Sequence, residues 1–128
     1  MEELEGAIRE ALIEDKLPCA RAFAVSEEYG VSPRSVGREA TRLRIRISRC
    51  QLGLFGYDDL GNKRIVKPAK EVSEELKAAI TSRLVAKKLS CTAAWEIASE
   101  FKLSKLEVSS AVEALKIRFS DCQLGCFK

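Results

Sequence analysis

The chain contains itself twice. Residues 4–55 laid on residues 76–127, a shift of seventy-two positions, agree without a gap at about two positions in five. Leu12 meets Leu84, Cys19 meets Cys91, Val36 meets Val108 and Leu43 meets Leu115, and the run Cys50-Gln51-Leu52-Gly53 returns as Cys122-Gln123-Leu124-Gly125. A gapless internal match of this kind reports a duplicated supersecondary unit rather than one continuous domain. The predicted organisation is a first repeat over 1–57, a connecting turn or hairpin over 58–72 and a second repeat over 73–128. A unit of about fifty residues buries proportionally little of its surface, so the halves should pack on each other or on a second copy of the chain.

Within a repeat the apolar spacing predicts three helices. Leu4, Ala7, Ile8, Ala11 and Leu12 recur at helical intervals behind the acidic Glu2, Glu3 and Glu5, which suit a helix N-terminus; the first helix is predicted over Glu3–Glu14. Pro18 suits the first turn of a second helix, whose stripe is Cys19, Ala22, Phe23, Val25, Ser26 and Tyr29 and which Gly30 ends. Ser32 caps a third helix, Pro33 to Leu43, burying Val36, Ala40 and Leu43. Arg44-Ile45-Arg46-Ile47-Ser48 then alternates charged with apolar residues, the period of a half-exposed strand. In the second repeat the same elements fall at Glu74–Lys87, Cys91–Phe101, Lys105–Leu115 and Lys116–Ser120. Between the repeats, Asp58-Asp59-Leu60-Gly61-Asn62 is a turn signal flanked by Leu54–Tyr57 and Arg64–Val66, the pattern of a hairpin.

Helix, helix, tight turn, helix and β-ribbon is the order of a winged helix-turn-helix unit. Trp95-Glu96-Ile97-Ala98 followed by Phe101, Leu103, Ser104 and Val108, and Val25, Ser26, Gly30, Val31, Ser32 and Val36 in the first repeat, resemble the helix-turn-helix pattern of that superfamily. The resemblance implies a mainly α fold with small β wings, an α+β class built as tandem winged helix-turn-helix units. It further implies nucleic-acid binding, most often of double-stranded DNA. RNA binding and a protein-interaction scaffold are the alternatives such domains also serve.

The repeats differ where such a unit would read DNA. Arg34, Arg38 and Arg42 follow one another at four-residue steps on the third helix, and Arg44, Arg46 and Arg49 continue the basic edge. Guanidinium forks bind phosphate oxygens and guanine edges in two places at once; Ser32 and Ser35 are candidate phosphate contacts beside them. The second repeat has Leu106, Ser110 and Ala114 at the three helical positions, with Glu107 and Glu113 nearby. That surface gains little from a polyanion, so Leu106 and Ala114 are expected to meet a partner, a second copy of the chain included.

Histidine is absent and no nucleophile–base arrangement or phosphate-cradling glycine loop occurs, so the chain is expected not to be an enzyme and to need no cofactor or metal. The five cysteines lack a C-x-x-C pair and are read as reduced, mostly structural thiols, with a redox or metal role as the competing view. Cys126, standing where the first repeat has Leu54, is expected in an apolar packing position. No apolar stretch approaches the roughly 20 residues a bilayer requires, so a cytoplasmic protein without a membrane partner is expected. Phe23 and Trp95 are read as core, and Gly53 and Gly125 as sites of close backbone approach.

Overall fold

The computed structural model describes residues 2–57 and 64–126. It is mainly helical with a few short strands. In chain order the elements are α1 (Glu2–Glu10), β1 (Leu17–Pro18), α2 (Cys19–Tyr29), α3 (Pro33–Arg42), β2 (Ile47–Ser48), α4 (Glu74–Ser82), β3 (Lys88–Ser90), α5 (Cys91–Phe101), α6 (Lys105–Ala114) and β4 (Arg118–Ser120). Serine begins four of the six helices: the hydroxyls of Ser32, Ser73, Ser90 and Ser104 each accept the backbone N–H three residues on. Ser104 and Glu107 complete a reciprocal capping box. Gly30 ends α2 in the left-handed region at φ 63°, and Lys102 takes the same conformation at φ 55° after α5.

The repeat is as clear in the backbone as in the letters. Glu14, Asp15, Gly30, Arg44, Arg49 and Gly53 all have positive φ, and so does each of their counterparts, Ala86, Lys87, Lys102, Lys116, Asp121 and Gly125. Two of these pairs shorten the first helix of each repeat. Ile13 bridges Lys16 and Val85 bridges Lys88 in antiparallel fashion across two consecutive left-handed residues, a tight reversal that stops the helix at Glu10 and Ser82 instead of Glu14 and Lys87. The reversal sends the chain into a short strand before the second helix, so Pro18 lies in β1 and precedes α2 instead of occupying its first turn.

The expected strand 44–48 shrinks to Ile47–Ser48. Arg44 is left-handed at φ 60°, and the N–H of Ile45 returns to the Ala40 carbonyl at 2.8 Å, a helix-terminating motif that takes those residues out of any strand. Lys116 and Ile117 repeat this after α6. β1 pairs with β2 and β3 with β4, both in parallel. The flanks expected to form a hairpin, 54–57 and 64–66, are not strands; the N–H groups of Ile65 and Val66 both point at the Gly53 carbonyl. The turn expected at Asp58–Asn62 lies outside the described residues, as does Phe127.

The two cores are not the two halves of the chain. One comprises Leu4, Ile8, Leu17, Cys19, Ala22, Val25, Val36 and Ala40 of the first repeat together with Cys122 and Leu124 of the second. The other comprises Leu76, Ile80, Leu89, Cys91, Ile97, Val108 and Val112 of the second repeat together with Cys50 and Leu52 of the first, with Leu54 and Phe55 packed against it. The repeated Cys-Gln-Leu-Gly segment is thus exchanged, each copy closing the other's core. Full burial of one leucine is worth about 2–3 kcal/mol, so Leu52 at 1% exposure and Leu124 at 4% weld the repeats together. Phe23 stacks on Trp95, its own counterpart, with ring centroids 4.3 Å apart. Reciprocal exchange together with contact between equivalent residues defines an approximate two-fold axis within one chain.

A fragment of residues 1–72 lacks Cys122 and Leu124 and is expected not to fold as a monomer. Its helical circular dichroism should rise only with concentration, as a second copy lends its own tail; full helicity at the highest dilution would refute the exchange. Lys87→Gly should stabilise the whole protein by about 0.5–1 kcal/mol, because glycine removes the left-handed cost at φ 66°, read as a rightward shift of the urea midpoint.

Candidate nucleic-acid interface

α2, the Gly30-Val31-Ser32 turn and α3 hold the candidate surface. Ser26, buried at the crossing, donates its hydroxyl to the Val31 carbonyl at 2.6 Å, and the Val31 N–H returns to the Ser26 carbonyl at 3.1 Å. That reciprocal pair fixes the turn and with it the pitch of α3. Val36, Gly37 and Ala40 face inward. Arg34, Arg38, Thr41 and Arg42 are left exposed.

The three helical arginines are not equivalent. Arg42 donates to both oxygens of Glu39 at 2.7 Å and to Glu5 of α1 at 3.1 Å. Hydrogen bonds from Arg42 hold the Glu39 carboxyl below the usual range, and those from Arg9 and then Arg42 do the same for Glu5. Arg42, expected to offer its guanidinium to a groove, is held at the surface by the Glu39 and Glu5 carboxylates. Arg34, Arg38, Arg44 and Arg46 are exposed and form no ion pair with a described residue. Arg49 is exposed as well but is left-handed at φ 49°. Ser35, Arg38, Glu39 and Arg42 line a shallow hollow of about 290 Å³ beside Leu4. Ser32 and Ser35 are already joined, hydroxyl to hydroxyl at 2.8 Å, while Ser32 also accepts the Ser35 N–H at 3.1 Å. Their hydroxyls act first as a helix cap.

The inward side of α3 carries a feature that the helical period alone does not show. Gly37 is buried because the tail of the second repeat crosses it, and a Cβ there would overlap the Leu124 carbonyl oxygen. Gly125 follows beside Arg34, a Cβ built on it lying 3.8 Å from Nη1. The signal lay in the repeat itself: Ser109 stands opposite Gly37, so the duplicated helix differs at the tail's seat. Ser109 is fully buried, and its hydroxyl finds no partner among the described residues.

In the second repeat Leu106 touches the first repeat's tail, its Cδ1 lying 2.6 Å from a Cβ built on Gly53. The expected apolar partner contact is thus partly made within the chain, although Leu106 stays 37% exposed. Ala114 is half-buried. A larger groove of about 610 Å³ opens near it, floored by Leu54, Phe55, Ile117 and Phe119 and edged by Arg64, Lys116, Arg118 and Glu113. Arg64 pairs with Glu113. Sequence reading missed this groove because its first-repeat wall, Leu54 and Phe55, arrives only through the exchange.

Cys19, Cys50, Cys91 and Cys122 are buried, unpaired thiols around a void of about 10 Å³ near Phe23 and Trp95, barely room for a water molecule. Burial pushes the Cys19 thiol up to about 12 and raises Cys50 and Cys91. Gln51 donates toward the Cys19 sulfur at 4.0 Å and Gln123 toward the Cys91 sulfur at 3.5 Å, so the glutamines serve the interior. Among the described residues no three cysteine or acidic side chains are grouped to hold a metal ion. Cys126, expected in a packing position, is exposed, and so is Tyr29 at 40%.

Comparison of the chain with family models, curated proteins and solved structures finds no match. Among the described residues no helix is long and apolar enough to cross a membrane.

Because their folded-state carboxyls are held low, Glu39 and Glu5 keep Arg42 at neutral pH and release it only as the pH falls through those lowered values. In a carbon-detected NMR titration, Arg42→Ala should move the Glu39 midpoint upward. An unmoved midpoint would show that Arg42 is available after all.

Proposed function

We propose that the protein binds double-stranded DNA through the first repeat, with α3 as the helix presented to a major groove, in the manner of a transcriptional regulator built from two helix-turn-helix units of the winged type. One observation carries this reading. Four exposed guanidiniums, those of Arg34, Arg38, Arg44 and Arg46, lie along α3 and the segment leaving it and form no ion pair with a carboxylate among the described residues. An exposed cationic row of this kind neutralises phosphates and, where a fork reaches a base edge, discriminates guanine.

The second repeat supports the assignment by contrast. Its α6 offers Leu106, Ser110 and Ala114 in place of the helical arginines, and Glu107 is committed to the capping box. The approximate two-fold relation between α3 and α6 would present two recognition helices to a symmetric site in an ordinary dimer. Here only one is cationic, so the expected target is a single half-site rather than a palindrome. Arg34 and Arg38 take the groove, Arg44 and Arg46 the flanking backbone, and the Ser32 cap keeps the first turn of α3 rigid against the phosphates.

Fluorescence anisotropy against a random-sequence duplex should give a log–log salt slope of about −3 to −4, as four neutralised phosphates require. Arg38→Ala should weaken binding by about tenfold, within the range of a lost bidentate contact, while Arg42→Ala should change it by less than threefold. Equal losses in the two variants, or binding indifferent to salt, would defeat the proposal. Tighter binding to single-stranded or duplex RNA would move the same surface to an RNA target.

A further inference from the structure

The groove beside the C-terminal end of α6 has a construction that the DNA-binding reading does not use. Its floor is apolar and half-buried: Leu54 and Phe55 come from the first repeat, Ile117 and Phe119 from the segment after α6 in the second. Its rim is cationic. Lys116 and Arg118 are exposed and form no ion pair with a described residue, while Glu113 beside them is engaged by Arg64. The negative end of α6 does not oppose that charge, because the N–H groups of Leu115, Lys116 and Ile117 close on the carbonyls of Ala111, Glu113 and Val112.

We propose that this groove binds an aromatic carboxylate, with the ring system on Phe55 and Phe119 and the carboxylate at Lys116 and Arg118. The volume of about 610 Å³ lies within the range of about 300–1,000 Å³ usual for small-molecule sites. Charge complementarity selects an anion, and the floor selects its body. A nucleic-acid phosphate would answer the rim alone and leave four apolar side chains facing water, whereas an aromatic acid answers both, its ring packing against the two phenylalanines. The repeats agree on the cations, since Arg44 and Arg46 match Lys116 and Arg118. They differ in the floor, where Leu54 and Phe119 stand against Cys126 and Ile47.

The rim residues differ in what they offer such a ligand. Arg118 can meet both carboxylate oxygens with two parallel N–H bonds, and Lys116 adds a compact charge with three donors. Seating the ring removes from water the parts of Leu54, Phe55, Ile117 and Phe119 that the fold leaves accessible. One wall belongs to each repeat, so an occupant spans the boundary that the exchange of tails already closes. A ligand that meets both walls binds the folded chain and not the unfolded one, and so raises the unfolding temperature.

Benzoate, 2-naphthoate and indole-3-acetate, titrated into the full chain, should move the amide NMR signals of Phe55, Ile117 and Phe119 saturably and leave Arg34 and Arg38 in place. 2-Naphthoate should also raise the melting temperature. The neutral 2-naphthamide should bind about tenfold more weakly, as should 2-naphthoate to Arg118→Gln, each having lost a hydrogen bond between charged groups. Lys116→Asn, which suits the left-handed backbone at φ 59°, should weaken binding in the same direction, and Arg38→Ala should not change it. Three outcomes would each overturn the proposal. An amide that binds as tightly as the acid would make the site purely apolar, groove signals that move on dilution of the free protein would give it to a second copy of the chain, and no saturable shift from any of the three acids would leave it without such a ligand. None of these readouts involves DNA, so failure here and failure of the DNA-binding reading are separately visible.

Discussion

Everything in this structure depends on two leucines buried in the wrong half of the chain. Leu52 and Leu124 each close the core of the repeat to which they do not belong. Without that exchange each repeat would be three short helices and a two-stranded ribbon, with an open groove where the missing tail should lie. A unit that small has little apolar surface to spare, and exchange lets each supply the other. Covalent linkage makes the arrangement independent of protein concentration, which a dimer of single repeats could not achieve. The cost is that Gly37 must remain without a side chain, since the Leu124 carbonyl occupies the place of a Cβ.

The exchange also explains the residues nearest the axis. Equivalent positions meet there, so a side chain must pack against a copy of itself or its duplicate. Phe23 against Trp95 is the visible case: the pair has diverged in size and polarity, and Lys105 has come to lie 4.3 Å above the indole. The cysteines are the conservative case, retained in both copies as small polarizable fillers around a void too tight for larger groups. Gln51 and Gln123 aim their carboxamides at those sulfurs, which ties the most distinctive sequence run to the interior rather than to a surface.

The helices were legible because their signals are local. Serine caps, the Gly30 stop and the three-and-four spacing of Val36, Ala40 and Leu43 act within one turn, and the boundaries of α2, α3, α5 and α6 follow them closely. What escaped was non-local or lacked the expected residue. The reversals at Glu14-Asp15 and Ala86-Lys87 use left-handed backbone without glycine or asparagine, so no turn signature announced them. The alternation Arg44–Ser48 looked like a strand, but a left-handed Arg44 consumed its first residues in ending α3. The role of Cys-Gln-Leu-Gly was invisible because periodicity assigns a residue to a face, not to a neighbour. Of the candidate site, the exposed positions of Arg34 and Arg38 could be read from helix geometry. The capture of Arg42 required knowing that α1 brings Glu5 alongside.

Duplication followed by divergence leaves a record of which constraints persisted. The capping serine of the third helix, core leucines and the left-handed hinges are shared by both copies, since each is needed twice for the fold to close. Among the features not shared, three stand together: the arginines of α3, the bare Gly37 and the thiol of Cys126. All three lie at one place, because the second repeat's tail, which carries Cys126, is the one that crosses the first repeat's α3. In the opposite crossing, Leu54 replaces the thiol, Ser109 the glycine and Leu106 the first arginine, and the contact is apolar. Had the three differences arisen independently on a surface of this size, nothing would bring them within reach of one another. Exchange of tails couples them, because it seats the tail of the second repeat against a helix near the chain's beginning.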